Sequence, residues 1–130
     1  MKKKLNCILL IDDNQADNRY HQIVIKGMNI TERIEVALDG VEALNFLNQE
    51  NSSPDLIFLD INMPKINGWE FLKEYQKLSA KQKAKIIIVM LTTSDNPKDL
   101  ERAKQIKEVA GYKVKPLTEE LLTEILEQHF

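Results

Sequence analysis

Three runs along the chain are apolar at every position: Cys7-Ile8-Leu9-Leu10-Ile11, Leu56-Ile57-Phe58-Leu59 and Ile86-Ile87-Ile88-Val89-Met90-Leu91. Such runs, bounded by polar residues, predict strands buried on both faces, as in the middle of a parallel sheet. Two further segments are weaker. Ile34, Val36 and Leu38 alternate with Arg33, Glu35 and Ala37, the pattern of a half-exposed strand, and the stretch 110–114 is short and contains Lys113. Helical spacing fills the intervals. The segment 16–28 carries Tyr20, Ile23, Val24 and Gly27/Met28; Asp39-Gly40 opens a helix over 40–49 with Val41, Leu44 and Leu47 on its inner face. Asn67 caps a helix carrying Phe71, Leu72, Tyr75 and Leu78. Asn96-Pro97 starts a polar helix whose apolar residues are Leu100, Ala103 and Ile106, with proline suited to the first helical position. Thr118 caps a last helix with Leu121, Leu122, Ile125 and Leu126, and Glu119 and Glu120 suit the positive end of its dipole.

Strict alternation of strand and helix predicts a parallel sheet with helices on both faces. The three wholly apolar strands belong at its centre, and the alternating and short ones at its edges. That assignment fits a doubly wound five-stranded α/β sheet of order 2-1-3-4-5, the flavodoxin-like arrangement, in which the chain reverses direction between the first and third strands. Asp12 and Asp13 follow the first strand and Asp60 follows the third, so all three fall at that switch point. Carboxylates brought so close repel, and they persist through a cation or a raised pKa. The pattern suggests a divalent metal site.

Composition narrows the class. The chain has 130 residues, enough for one domain over 1–130 without disulfides or structural metal. A formal net charge of −2 gives no electrostatic case for nucleic-acid binding. The single cysteine, Cys7, falls in a buried strand and is expected to be an inert core thiol. After the basic start Met1-Lys2-Lys3-Lys4 the apolar stretch ends too soon for a signal peptide, and nothing approaches the ~20 apolar residues of a membrane-spanning helix. A cytoplasmic location is the default expectation, with no membrane insertion.

Four separated signatures occur in order: Ile11-Asp12-Asp13; Asp55-Leu56-Ile57-Phe58-Leu59-Asp60-Ile61-Asn62-Met63-Pro64 with Gly68; Leu91-Thr92; and Gly111-Tyr112-Lys113-Val114-Lys115-Pro116-Leu117. Together with Asp39-Gly40-Val41-Glu42-Ala43-Leu44 they resemble a response-regulator receiver domain over essentially the whole chain. The resemblance implies that Asp60 accepts a phosphoryl group from a sensor histidine kinase or a histidine phosphotransfer protein, as a carboxylate nucleophile forming an acyl phosphate. It implies Mg2+ held by Asp12, Asp13, Asp60 and the main-chain carbonyl of Asn62, a sparse oxygen site of the kind that ion accepts. Lys115 would neutralise phosphoryl oxygens, and Thr92 would donate its hydroxyl to one of them. Thr92 and Tyr112 would form a switch, and the Lys115-Pro116 bond would be cis. Two departures from the family pattern stand out. Thr93 replaces a smaller residue and would crowd the phosphoryl group, and Lys107-Glu108-Val109-Ala110 lacks a glycine common there.

The expected function is that of a stand-alone response regulator, since the sequence stops at Phe130 without an output domain. It would catalyse only its own phosphorylation and dephosphorylation, then signal by binding an unknown downstream protein through its fourth helix, last strand and fifth helix. One alternative is a phosphorelay intermediate that passes the group to a histidine phosphotransfer protein. Another is an aspartate-nucleophile phosphohydrolase, but that chemistry wants an acid two residues after the nucleophile, where Asn62 stands. No glycine-rich phosphate loop follows the first strand, which disfavours a nucleotide-binding domain. A receiver-like module that is never phosphorylated is disfavoured by the intact set Asp12, Asp13, Asp60, Thr92 and Lys115. His21 and His129 are expected to lie far from the acids as solvent-facing or packing residues, Trp69 to be half-buried packing, and Lys77–Lys85 to be a solvated helix end and loop.

Overall fold

A computed structural model of the chain describes residues 4–49, 54–61, 63, 66–79, 83, 86–93 and 96–130. Within them the strands are β1 (Leu5–Ile11), β2 (Thr31–Ala37), β3 (Leu56–Asp60), β4 (Ile87–Thr92) and β5 (Val109–Val114). The helices are α1 (Gln15–Met28), α2 (Gly40–Leu47), α3 (Gly68–Tyr75), α4 (Pro97–Lys104) and α5 (Glu119–His129). All strand pairs are parallel and the order is β2-β1-β3-β4-β5, as the strand patterns predict.

Both faces of the sheet are covered, and the period of two along each central strand divides the core. Leu9, Ile11, Ile57, Leu59, Ile88 and Met90 point to one side, where they meet Ala43 and Leu47 of α2, Phe71, Leu72 and Tyr75 of α3, and Ala103 of α4. Ile8, Leu10, Leu56, Phe58, Val89 and Leu91 point to the other, against Ile25 of α1 and Leu122, Ile125 and Leu126 of α5. The alternation, carried past the strand ends, puts Asp12 and Asp60 on the α1 side.

The helix caps follow the residue types. Asn14, Asp39, Asn67, Asn96 and Thr118 each accept a hydrogen bond from the first turn that follows, and Asn67 with Glu70 closes a full capping box. Asn29 ends α1 in the left-handed region, at φ 54°. The β4–β5 register shifts between Ile88 and Val89, so Ala110 is the extra residue of a bulge. The connection lacking glycine is therefore accommodated by this irregularity and by a Val109 N–H bond to the Ile106 carbonyl of 3.1 Å.

Two helix faces differ from the apolar spacing. On α1, Tyr20 and Ile23 are 48% and 63% exposed, whereas Asn18, His21 and Ile25 are buried and Val24 and Met28 pack at the edge of the core. On α2, Val41 is exposed, and the buried face is Gly40, Ala43 and Leu47. In both helices small or hydrogen-bonding residues form part of the buried face. Cys7 is buried, and burial pushes its thiol pKa up, in keeping with an inert core thiol. No helix among the described residues is long and apolar enough to cross a membrane.

Candidate functional site

β1 and β3 are neighbours with Ile11 opposite Leu59, so the chain leaves the sheet at Asp12 and Asp60 side by side. Oxygens of Asp12, Asp13 and Asp60 all lie within 4.8 Å of one another. Asp12 and Asp60 are buried, at 4% and 6% exposure, while Asp13 is exposed. Local bonds set Asp12: its N–H donates to the Ala37 carbonyl at 3.0 Å, its Oδ1 accepts the Asn14 N–H at 2.9 Å, and its carbonyl accepts from the Asn18 side-chain amide at 2.8 Å.

The fourth expected residue arrives from the sheet edge. β5 ends with Val114 opposite Thr92, and the Lys115 N–H donates to the Thr92 carbonyl at 2.7 Å. The Lys115-Pro116 bond is cis, as expected. The Lys115 ammonium, 8% exposed, donates to Asp12 Oδ2 at 2.6 Å and Asp17 Oδ2 at 3.0 Å, and lies 3.3 Å from Asp60 Oδ1. Thr92 is buried at the end of β4, beside the Asp60 end of β3. Tyr112 sits opposite Met90 on the edge strand, half-buried and packed against the α2–α4 side of the core. Thr93 is exposed just past β4. Asn62, named as a main-chain metal ligand, lies outside the described residues.

Charge is unbalanced here. Asp12, Asp13, Asp17 and Asp60 face one ammonium, and the acids dominate. Burial, then the charge of Asp12, pushes the Asp60 carboxyl up to about 6, although Lys115 pulls the other way. Burial opposes the Lys115 charge too, but its hydrogen bonds to Asp12 and Asp17 outweigh that and hold its pKa above the ordinary lysine value. A cluster of hard carboxylate oxygens with an excess of negative charge suits Mg2+ or Mn2+ rather than a soft metal. Asp13 is the exposed member of the cluster and brings an oxygen within 4.8 Å of those of Asp12 and Asp60. The residues present fit a divalent ion.

Glycine shapes the floor of the site. A Cβ on Gly68 would lie 2.7 Å from the Asp60 carbonyl oxygen and 3.0 Å from the Ile61 Cα. The Gly68 N–H also bonds the Ile61 carbonyl at 2.8 Å, so α3 starts directly against the backbone that carries the central acid. Gly68→Ala must move that backbone. It is expected to cost about 1–3 kcal/mol of stability in urea unfolding and to weaken divalent-ion binding, the usual scale for overpacking.

Three residues at the site were not singled out by sequence. Asp17 binds Lys115, and Asn14 and Asn18 fix Asp12. Their common signal is position, since the first turns of a helix that follows directly on a strand-end acid fold back over that acid. His21 is a buried packing residue, but its expected distance from the acids is corrected: burial, then the Lys115 charge, lowers its pKa, with Asp17 and Asp12 acting in opposition, so it lies within reach of the site charges. His129 is half-buried at the far end of α5. Trp69 is half-buried packing as expected, and the Arg102 guanidinium lies 4.4 Å from its ring centroid. In the Lys77–Lys85 stretch Lys77 is exposed, whereas Lys83 is half-buried and lies 3.5 Å from Glu108; the residues at 80–82, 84 and 85 lie outside the described residues.

Comparison with known proteins agrees with this geometry. Residues 8–127 match the response regulator receiver domain family. The response regulator Rcp1 of Synechocystis sp. is 41% identical over 98 residues, covering 72% of this chain and 65% of Rcp1, just under two thirds of its length. The chemotaxis protein CheY of Pseudomonas aeruginosa is 31% identical over 128 residues, covering 95% of this chain and 94% of its own. Among solved structures, a two-component response regulator from Cytophaga hutchinsonii superposes with a TM-score of 0.89 at 32% identity, covering 97% of both chains. The Mn2+-bound form of response regulator Rcp1 superposes with a TM-score of 0.74 at 34% identity, covering 95% of this chain and 90% of that one. With the strand order, the acid cluster and a match over nearly its whole length, the chain belongs to the response regulator receiver domain family of two-component systems.

Proposed function

We propose that this receiver takes a phosphoryl group on Asp60 and signals by phosphorylation-dependent binding of another protein. The observation that carries the reading is one buried carboxylate, Asp60, with a lysine ammonium 3.3 Å away and two further acids within 4.8 Å. An Asp60 oxygen attacks phosphorus; the bond from phosphorus to the donor's imidazole nitrogen breaks, and that nitrogen keeps the electron pair and takes up a proton. With acetyl phosphate the leaving group is acetate. Burial keeps bulk water from the acceptor and raises its basicity, which favours attack. Lys115 offers a compact charge to the transferred oxygens, and the buried Thr92 hydroxyl is a donor at the neighbouring strand end. Asp12, Asp13 and Asp60, with the Asn62 carbonyl, would hold Mg2+, which when bound supplies neutralisation of the charge on the phosphoryl oxygens.

Phosphoryl donors in this reading are a sensor histidine kinase or a histidine phosphotransfer protein, and the chain catalyses only gain and loss of its own phosphoryl group. Incubation with phosphoramidate tests it: Mg2+ should support incorporation of one acid-stable, base-labile phosphate, and EDTA should stop it. Equal incorporation with EDTA would contradict the metal role, and none with Mg2+ would contradict the acceptor role.

The route outward runs through the thinnest part of the fold. α4 buries only Ala103, so this helix has few apolar contacts to hold it in one arrangement. A phosphoryl group that draws in the Thr92 hydroxyl gives one arrangement a contact the other lacks, which is what a population shift requires. Beryllofluoride with Mg2+ is therefore expected to change hydrogen exchange mainly across 92–113 and to expose the α4–β5–α5 face to the partner. Change confined to α1, with 92–113 silent, would refute this route.

A further inference from the structure

α1 brings a fourth carboxylate into the site that the chemistry above does not use. Asp17 lies in its first turn, and its Oδ2 is 3.0 Å from the Lys115 ammonium. We propose that Asp17 is a positioning residue that holds the Lys115 ammonium on the α1 side of the site and competes for it with a phosphoryl group on Asp60. This rests on reading Asp60 as the acceptor.

The distances are graded. Lys115 donates hydrogen bonds to Asp12 at 2.6 Å and to Asp17 at 3.0 Å, while Asp60 is an ion-pair contact at 3.3 Å. An ammonium has three donors, and Asp12 and Asp17 take two of them, both on the α1 side of Asp60. A phosphoryl group adds about −1.5 to −2 charges and three strong acceptor oxygens beside Asp60, so it draws the ammonium towards β3. Moving the ammonium that way lengthens its bonds to Asp12 and Asp17, and the one that costs less to release yields first. Asp12 is 6% exposed at its side chain and is tied to the Asn14 N–H, so releasing it would leave a buried charge. Asp17 is 34% exposed, and water replaces the lysine there at little cost. Asp17 is thus the partner that lets go. Until it does, its own charge also disfavours an incoming anion.

Both effects act in one direction, and that direction is unusual for a loss of structure. Asp17→Asn and Asp17→Ala should bind beryllofluoride about three- to tenfold more tightly at saturating Mg2+, the scale of one partly screened charge at this range. Affinity for Mg2+ alone should not rise, because the same substitution removes negative charge from the cation's surroundings. Asp17→Glu, which restores the charge, should return beryllofluoride affinity towards that of the unaltered chain. Titration calorimetry on the full chain reads all three. A merely structural role would weaken beryllofluoride and Mg2+ together, in step with a lower melting temperature. Beryllofluoride affinity unchanged or weaker in both variants overturns the proposal; Asp17→Asn, nearly isosteric, carries the test if Asp17→Ala does not fold. If the unaltered chain itself binds no beryllofluoride, the acceptor reading fails and Asp17 falls with it. Binding by the unaltered chain without tightening in the variants overturns the Asp17 role alone.

Discussion

Asp60→Asn is expected to make the protein more stable in EDTA while abolishing its phosphorylation. Burial and Asp12 lift the Asp60 carboxyl from its ordinary value of 3.8 to about 6, so above that pH the folded chain carries a charge it holds at a cost. A raised folded-state pKa means that the native protein binds the proton more tightly than the unfolded chain. Stability from this group is therefore fully present below pH 3.8 and is lost as pH rises through about 6. At pH 7 a neutral amide of the same shape relieves that cost, a gain of about 1–3 kcal/mol on the scale of 1.36 kcal/mol per pKa unit. Urea unfolding of both proteins in EDTA checks it. Mg2+ is expected to stabilise the unaltered chain by mass action and to do so far less for Asp60→Asn. A destabilised Asn variant would show that the acid cluster is not under repulsive load.

Lys115→Ala should act with the opposite sign and a larger size. The ammonium is nearly buried among Asp12, Asp17 and Asp60, and its removal leaves those acids facing one another with Asp13 beside them. Breaking a buried ion pair from one side costs about 3–5 kcal/mol, most of it the burden of the unpaired charge left behind. In EDTA the variant should be severely destabilised at pH 7 and recover as pH falls and Asp60, whose carboxyl is already raised to about 6, takes up a proton. Mg2+ should restore much of the loss. Urea unfolding at pH 5 and pH 7, with and without Mg2+, reads these effects. A loss that neither acid nor Mg2+ relieves would point to lost packing of the lysine stem instead.

These opposite signs explain what the sequence could show of the site. Asp12, Asp13 and Asp60 were legible because strand ends are sharp: a wholly apolar run that stops at an acid places that acid to within a residue. Lys115 was legible only through its resemblance to a known motif, since nothing in a lysine before proline says that it folds back over a strand end 103 positions away from Asp12. Asp17, Asn18 and His21 were missed for one physical reason. Apolar spacing finds the helix face that packs on a core, but the first turns of α1 pack on a polar site, where hydrogen bonds to Asp12 and Lys115 replace apolar contact. The exposed Tyr20 and Ile23 then made the spacing point outward. On α2 the buried face begins at Gly40, whose Cβ would come within 2.9 Å of Ile66, and a count of large side chains passes over it. Strand order, by contrast, followed from which runs were apolar on both faces.

The central claim is that Asp60 itself carries the phosphoryl group, and borohydride trapping tests it most directly. An acyl phosphate is reduced to the alcohol, so an aspartyl phosphate becomes homoserine at its own position. After treatment with phosphoramidate and Mg2+, then borohydride, peptide mass spectrometry should find homoserine at position 60, and at none of Asp12, Asp13 or Asp17. Homoserine at one of those positions, or an unaltered Asp60 in protein that has taken up phosphate, would contradict it.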